Sequence, residues 1–380
     1  MFNYLLKMSN DKNKYYHKLY EYKENIKEAD AIAWAFTSKD KMEKIPFCFP
    51  KIKPYELRCK ILYTALCQSD VMWVREKWGE ANYPIAPGHE IIGEVILVGE
   101  EVKDFSIGDI VGFGAIRHCC DNCKYCSKGM EELCEAEDEE FEHGTYGIHW
   151  GGYATHLQQP SKFFYKIPKN FDIKTGAPLL CAGITVFYPM KRFLKPEMNT
   201  CVVGIGGLGH LAVKFLKSFG NKVTAFTTSK DKTEEIKSFG ADEVIISTNE
   251  EEMKKCKVKY DFVVNTLPVK GEFKKIFDLC AKGGFLVQVG MPNEEVELPV
   301  KVFDLVCREI NFVGSCDGPR WAMKEMINLC AEKNIYPLVE EFEFDDFPKA
   351  FDKLENGRPH FRCVVNVQDY LKKFENEKNK

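Results

Sequence analysis

The segment NTCVVGIGGLGHLAVKFLKSFG, residues 199–220, constrains the fold of this chain more than any other. TCVV reads as a strand. Gly204, Gly206 and Gly209 then form G-x-G-x-x-G, enclosing Gly207 and Leu208. Leu208, Leu211, Ala212, Phe215, Leu216 and Phe219 recur at helical spacing, and Gly220 is the expected stop. Alone, the glycine motif is common. Between a strand and a helix it is a dinucleotide fingerprint. The glycines allow a tight turn and a close approach of backbone to a pyrophosphate, whose charge the helix N-terminus favours. Gly204, Gly206, Gly207, Leu208 and Gly209 are therefore the expected cofactor turn. Short apolar strands follow in KVTAFTTS, DEVIIS, YDFVVNTL, GGFLVQVG and INFVGSC, with helical segments such as KTEEIKSFG and FKKIFDLCAKG between them. This alternation predicts an α/β domain over residues 185–318, a doubly wound parallel sheet covered on both faces.

At 380 residues the chain is too long for one ordinary domain. Residues 31–184 read as a β-rich domain, to which the chain returns over 319–369. ELRCKILYTALC alternates with Leu57, Cys59 and Ile61 on one face, and EIIGEVILVG and GDIVGF are strand-like. Residues 1–30 form a polar extension, helical or disordered. Residues 370–380 form a Lys/Glu-rich solvated tail. The formal net charge of −4 favours neither nucleic acid nor an anionic membrane as partner. No apolar run approaches the roughly 20 residues of a membrane span. The start resembles neither a signal nor a transit peptide, so a cytoplasmic protein is expected.

Sixteen cysteines are many for such a chain. Cys48, Cys59, Cys201, Cys256, Cys280, Cys307, Cys330 and Cys363 lie among apolar residues and are expected to be small buried hydrophobes. CDNCKYCSKGMEELC differs. Cys120, Cys123, Cys126 and Cys134 follow C-x2-C-x2-C-x7-C, so three thiolates reach one ion and the longer step folds a fourth back. Four sulfurs close a tetrahedral shell, which predicts a structural zinc site. An iron–sulfur cluster is the rival, but the C-x3-C-P continuation of bacterial ferredoxins is missing.

Cys67 in ALCQSD, His89 in PGHE and Cys181 in PLLCAG are each weak candidates alone. ALCQSD, YPIAPGHEIIGEVILVG, the four-cysteine loop, PLLCAGITVF and GIGGLGH nevertheless occur in the order and at the separations of the medium-chain alcohol dehydrogenases. The chain resembles that family over roughly Ala31 to Val367, and most of all its cinnamyl alcohol dehydrogenase branch.

The resemblance implies a GroES-like catalytic domain and a Rossmann domain. It implies a catalytic zinc held by Cys67, His89 and Cys181 with Glu90 close by, hence two zinc ions per chain with the four-cysteine site. Ser69 would hydrogen-bond the substrate oxygen and begin a proton relay, and Asp70 would orient a ligand, His89 being the candidate. Two positions depart from the pattern. Gln68 replaces the usual His or Arg, and Met72 replaces a His that passes the proton to solvent. Where NAD enzymes carry a carboxylate, this chain has Thr227, Thr228 and Ser229 followed by Lys230 and Lys232. Hydroxyls and a cation suit a 2′-phosphate, so Thr228, Ser229 and Lys232 are the expected NADP contacts. Trp73, Ser315 and Cys316 are candidate substrate-lining residues. The implied activity is reversible reduction of an aromatic or aliphatic aldehyde to a primary alcohol by NADPH, in a homodimer joined through INFVGSC. Two other readings stand beside it. One is a non-catalytic structural or interaction protein that keeps the fold. The other is a zinc-free quinone reductase, against which the metal-type residues argue.

Overall fold

The computed structural model describes residues 21–378, apart from 82, 136–150, 257–258, 269–272, 293–297, 299 and 358. It divides into two units. The first holds the chain up to Cys181, Pro319–Ala331 and the chain from Leu338 onward; the second holds Ala182–Gly318 and Glu332–Pro337.

Antiparallel pairing builds the first unit. β1 (Glu21–Tyr22), β2 (Ala31–Ser38) and β3 (Lys41–Cys48) form a small sheet in the order β1-β3-β2. β4 (Glu56–Leu66) is the longest strand of the unit, and Leu57, Cys59 and Ile61 on its inner face are fully buried. β5 (Ile91–Val98), β6 (Ile110–Phe113), β7 (His156–Pro160) and β8 (Phe164–Lys166) continue the sheet around it. β7 pairs with β4, and β4-β5-β6-β8 run in order.

Among its described residues the second unit holds six strands: β9 (Asn199–Val203), β10 (Lys222–Thr227), β11 (Glu243–Ile246), β12 (Tyr260–Asn265), β13 (Cys280–Gln288) and β14 (Asn311–Gly314). All pairings are parallel, in the order β11-β10-β9-β12-β13-β14. The order reverses between β9 and β12, and the crevice at such a switch point is where open α/β sheets bind ligands. Val202, Val263, Val264, Leu286 and Val287 are fully buried, as continuous apolar strands covered on both faces require. The helix Gly209–Ser218 buries Leu211, Ala212, Phe215 and Leu216, and Phe215 meets Phe187 of the helix Ala182–Phe193 edge-on at 5.4 Å. The chain then returns as β15 (Val339–Glu343) and β16 (Arg362–Asn366), which extend the β4 sheet of the first unit as β15-β16-β4, with β15–β16 the one parallel pairing of that sheet among the described residues.

Three local expectations change. Residues 370–378 are not a solvated tail: Gln368–Lys378 is a helix that buries Leu371 and Phe374 in the first unit's core. Its Lys and Glu residues occupy the outer face, and composition alone hides the two apolar positions three apart. In the extension, residues 1–20 lie outside the described residues, while Glu21–Tyr22 pairs with β3 and Ile26–Glu28 forms a 3-10 turn. Among the cysteines expected to be buried, Cys59, Cys201, Cys280, Cys330 and Cys363 are; Cys48 and Cys256 are half-buried and Cys307 is exposed. Cys307 lies on the helix Val302–Arg308, no residue of which is buried.

Candidate metal centres and cofactor turn

β4 ends at Leu66, and the chain turns through extended Cys67 into the short helix Gln68–Val74. β16 runs antiparallel to β4 with Cys363 opposite Leu66, which sets Arg362 beside Cys67. His89 and Glu90 immediately precede β5, and Cys181 follows the 3-10 turn Ala177–Leu180. Three distant stretches thus meet. The ligand atoms of Cys67, His89, Glu90 and Cys181 lie within 4.8 Å of one another, and all four residues are buried. The two Sγ atoms are 4.0 Å apart.

Two thiols and an imidazole are the donor set of an open zinc site if Glu90 is engaged elsewhere. Arg362 engages it: Nη2 donates to both Glu90 oxygens at 2.5 Å. Asp70, fully buried, accepts from the Gly88 N–H through Oδ1 at 3.0 Å, and the same oxygen lies 3.1 Å from His89 Nδ1. A carboxylate only accepts, so Nδ1 carries the proton and Nε2 is the ring's ligating atom. Asp70 Oδ2 accepts from the Tyr153 hydroxyl at 2.6 Å. The Cys181 thiol, ahead of His89 and Arg362 and against burial, holds Cys67 well below the ordinary thiol range. That bias suits a thiolate ligand.

The remaining candidates of this unit surround the group unequally. Ser69 Oγ lies 3.6 Å from Cys67 Sγ. Gln68 is exposed, whereas Met72 is buried. Trp73 is buried and meets Trp78 edge-on at 6.2 Å. Ser315 and Cys316 belong to the other unit, just after β14, where Ser315 is half-buried and Cys316 exposed.

Cys120, Cys123, Cys126 and Cys134 form a second group within 4.8 Å. Backbone N–H groups already point at the sulfurs: Cys123 N–H to Cys120 Sγ at 3.3 Å, Cys126 N–H to Cys123 Sγ at 3.4 Å and Cys120 N–H to Cys134 Sγ at 3.3 Å. Such donors favour thiolates. The Cys126 N–H, then Glu135's, lower Cys123 to about 6. Cys119 turns away, 3.1 Å from Asp121 Oδ1. The loop is tied down by Arg320 Nε to Glu131 Oε1 at 2.9 Å, Trp321 Nε1 to the Gly129 carbonyl at 3.0 Å and Lys162 Nζ to Asp121 Oδ2 at 2.5 Å.

In the second unit Gly204, Gly206 and Gly209 differ in what a side chain would meet. Gly204 has φ +87°, and a Cβ there would lie 2.5 Å from Leu267. A Cβ on Gly209 would lie 1.9 Å from the Gly204 carbonyl oxygen, so helix and turn touch backbone to backbone. A Cβ on Gly206 would meet nothing within 4 Å: that face is open, as a cradle for a phosphate must be. Thr266 Oγ1 donates to the Gly204 carbonyl at 2.7 Å and holds the turn from β12. Gly207 and Leu208 complete it, Leu208 being the helix N-cap. Thr228 and Ser229 follow the end of β10, and the 3-10 turn Lys230–Lys232 comes next. Asp231, inside that turn, is the first carboxylate after the strand and is exposed.

Sequence reasoning missed two residues. Arg362 stands in an unremarkable FRCVVN strand, and only the β16–β4 register reveals it. Tyr153 follows two glycines in GGYATH; that pair was a signal of close backbone approach, but not of its partner.

Comparison with known proteins places these features. Residues 53–169 match the alcohol dehydrogenase GroES-like domain, and residues 207–332 match the zinc-binding dehydrogenase domain. The chain is 36% identical to cinnamyl alcohol dehydrogenase 8 of Arabidopsis thaliana, over 90% of this chain and 96% of that one. It is 35% identical to the aldehyde reductase AdhA of a Synechocystis species, over 82% and 91%. Among solved structures, a cinnamyl alcohol dehydrogenase of Helicobacter pylori complexed with NADP(H) superposes with a TM-score of 0.81 at 31% identity, covering 89% of this chain and 98% of that one.

Proposed function

Because the chain belongs to the zinc-binding alcohol dehydrogenase family, we propose that it reversibly reduces an aldehyde, aromatic or aliphatic, to a primary alcohol with NADPH. The observation that carries the proposal is the buried convergence of Cys67, His89 and Cys181, with Glu90 turned to Arg362. Zinc bound there supplies Lewis-acid chemistry, polarising an aldehyde carbonyl or lowering an alcohol's pKa. The chain's own residues do the rest. Asp70 fixes the His89 ring, and Arg362 balances the charge of Glu90. The Ser69 hydroxyl, in the first turn of the Gln68–Val74 helix, relays the substrate proton. Buried Met72 offers no titratable group, so the proton leaves Ser69 through water or the cofactor ribose.

The second group, all sulfur, would hold a structural zinc, for two ions per chain. The Gly204–Gly209 turn would take the pyrophosphate. Thr228, Ser229 and Lys232 would take the 2′-phosphate, and the NADP(H) complex of the Helicobacter pylori relative supports that choice. Trp73, Ser315 and Cys316 stay the candidate substrate contacts. A homodimer through edge strand β14 belongs to the same reading: in the helix that precedes it in the chain, Val302, Phe303 and Val306 are 65–76% exposed. No described helix is long and apolar enough to cross a membrane, and a cytoplasmic enzyme is proposed.

The test is kcat/KM with NADPH and with NADH over a panel of aromatic and aliphatic aldehydes. NADPH should be favoured. A clear NADH preference would overturn the cofactor assignment, and no turnover with either would overturn the activity.

A further inference from the structure

Asp70 can aim His89 only if its own carboxylate is held. Its last torsion is a broad, roughly two-fold sp3–sp2 rotor. Oδ1 serves two donors, the Gly88 N–H at 3.0 Å and His89 Nδ1 at 3.1 Å, and Oδ2 is fixed by the Tyr153 hydroxyl at 2.6 Å. We propose that Tyr153 is a positioning residue for the Cys67–His89–Cys181 centre: its phenol locks the Asp70 carboxylate in the orientation that presents His89 Nε2 to the metal.

Tyr153 is itself held at several points. Its N–H donates to the Pro87 carbonyl at 2.9 Å, and its carbonyl accepts from the Trp34 N–H at 2.8 Å. Its ring packs on Phe347 with centroids 4.6 Å apart, and the residue is fully buried. The preceding glycines continue the pairing, Gly152 N–H to the Gly88 carbonyl at 2.8 Å and Gly151 N–H to the Ala86 carbonyl at 2.5 Å. Residues 151–153 therefore lie along Ala86–Gly88, the stretch that delivers His89. This contact is why Gly88 must be glycine: φ is +107°, and a Cβ would lie 2.7 Å from the Tyr153 ring and 2.9 Å from the Gly152 nitrogen. The backbone before His89 and the side chain behind its ring are thus both referenced to one tyrosine. Burial, and then the Asp70 carboxylate, push the Tyr153 hydroxyl well above its ordinary range, so it remains a donor. A phenol donating to a carboxylate is a charge-assisted hydrogen bond, among the stronger ones available.

The inference rests on the reading that Cys67, His89 and Cys181 hold a metal, and the experiment separates the two. Full-length wild type, Tyr153→Phe, Asp70→Asn, the double variant and Cys67→Ser are loaded with zinc or with Co2+. Zinc transfer to a chromophoric chelator is followed, with the four-cysteine site as internal control, and the Co2+ ligand-field absorption is recorded. Tyr153→Phe should weaken zinc at the Cys67 site about tenfold, at the low end for groups that orient a ligand, and should shift the Co2+ band. Added to Asp70→Asn it should have little further effect, because the phenol acts through that carboxylate. A Tyr153→Phe protein that releases zinc at the wild-type rate with an unshifted Co2+ spectrum overturns the inference, even if its melting temperature falls. Full additivity with Asp70→Asn overturns it as well. If Cys67→Ser leaves the wild-type metal content unchanged, the metal reading fails, and the inference with it.

Discussion

Acidification probes the β4 sheet, which leads into Cys67, through a residue that belongs to neither candidate metal group. His156 opens β7 and pairs with Lys60 of β4, the strand that ends just before Cys67. It is 8% exposed, its Nδ1 lies 2.9 Å from Thr155 Oγ1, and its ring leans on Phe374 at 6.2 Å. Burial, then Arg58, Lys378 and Lys60, lower its pKa to about 3. In the unfolded chain a histidine titrates near about 6.5. The folded value lies below the unfolded one, so neutral His156 contributes stability that is complete above pH ~6.5 and lost as the pH falls towards 3. At pH 5 the unfolded imidazole is protonated and the folded one is not, a difference worth about 2 kcal/mol. The ring borders a cavity of ≈ 320 Å³ shared with Asp30, Arg58, Phe374, Glu375 and Lys378; solvent entering it and those carboxylates both ease protonation, so that figure is a ceiling. The assay is thermal unfolding of wild type and His156→Gln between pH 7.5 and pH 5. Both proteins keep the same metal-binding residues, so acid loss of metal cancels in the comparison. The wild-type melting temperature should fall further than the variant's by about 4–8 °C. Equal falls would refute the reasoning, whatever the absolute stability of the variant.

Other outcomes follow from contacts described above. Gly209→Ala places a methyl 1.9 Å from the Gly204 carbonyl oxygen and forces the turn open; NADPH affinity by fluorescence titration should fall at least about tenfold with metal content unchanged, and an unchanged Kd would contradict this. Arg320→Met removes the guanidinium from Glu131, whose side chain is 7% exposed; it should destabilise the first unit by about 1–3 kcal/mol and speed zinc loss from the four-cysteine loop, and a loop that keeps its zinc as long as wild type would argue against the tether. Met72→His should raise turnover at pH 6–7 by restoring a titratable group beyond Ser69, and no gain would show that proton transfer already has another efficient route.

The parts legible in the sequence were those whose physics is local. The parallel sheet follows from strand–helix alternation, and the glycine turn from its place between β9 and a helix. The spacing of Cys120, Cys123, Cys126 and Cys134 brings four sulfurs together without knowledge of the rest of the chain. The meeting of Cys67, His89 and Cys181 is a property of tertiary structure: it needs the end of β4, the start of β5 and the turn after Leu180 in one place, and only family resemblance could join them beforehand. Arg362 was invisible because a one-residue change of register between β16 and β4 would put it on the other face. Tyr153 was invisible for a similar reason, since its partner lies 83 residues away in the chain. The C-terminal helix was misread because lysines and glutamates on its outer face outweigh Leu371 and Phe374 in composition, though not in burial.

The central claim, an open metal site at Cys67, His89 and Cys181 that supports aldehyde reduction, is tested most directly by counting zinc. Metal analysis of the purified full chain and of Cys67→Ser should be paired with NADPH-dependent turnover. Wild type should hold close to two zinc ions, one for each group of converging residues. Cys67→Ser should keep the four-cysteine ion, lose the other and lose activity. A wild-type chain that holds one zinc, keeps it in Cys67→Ser and reduces no aldehyde would contradict the account.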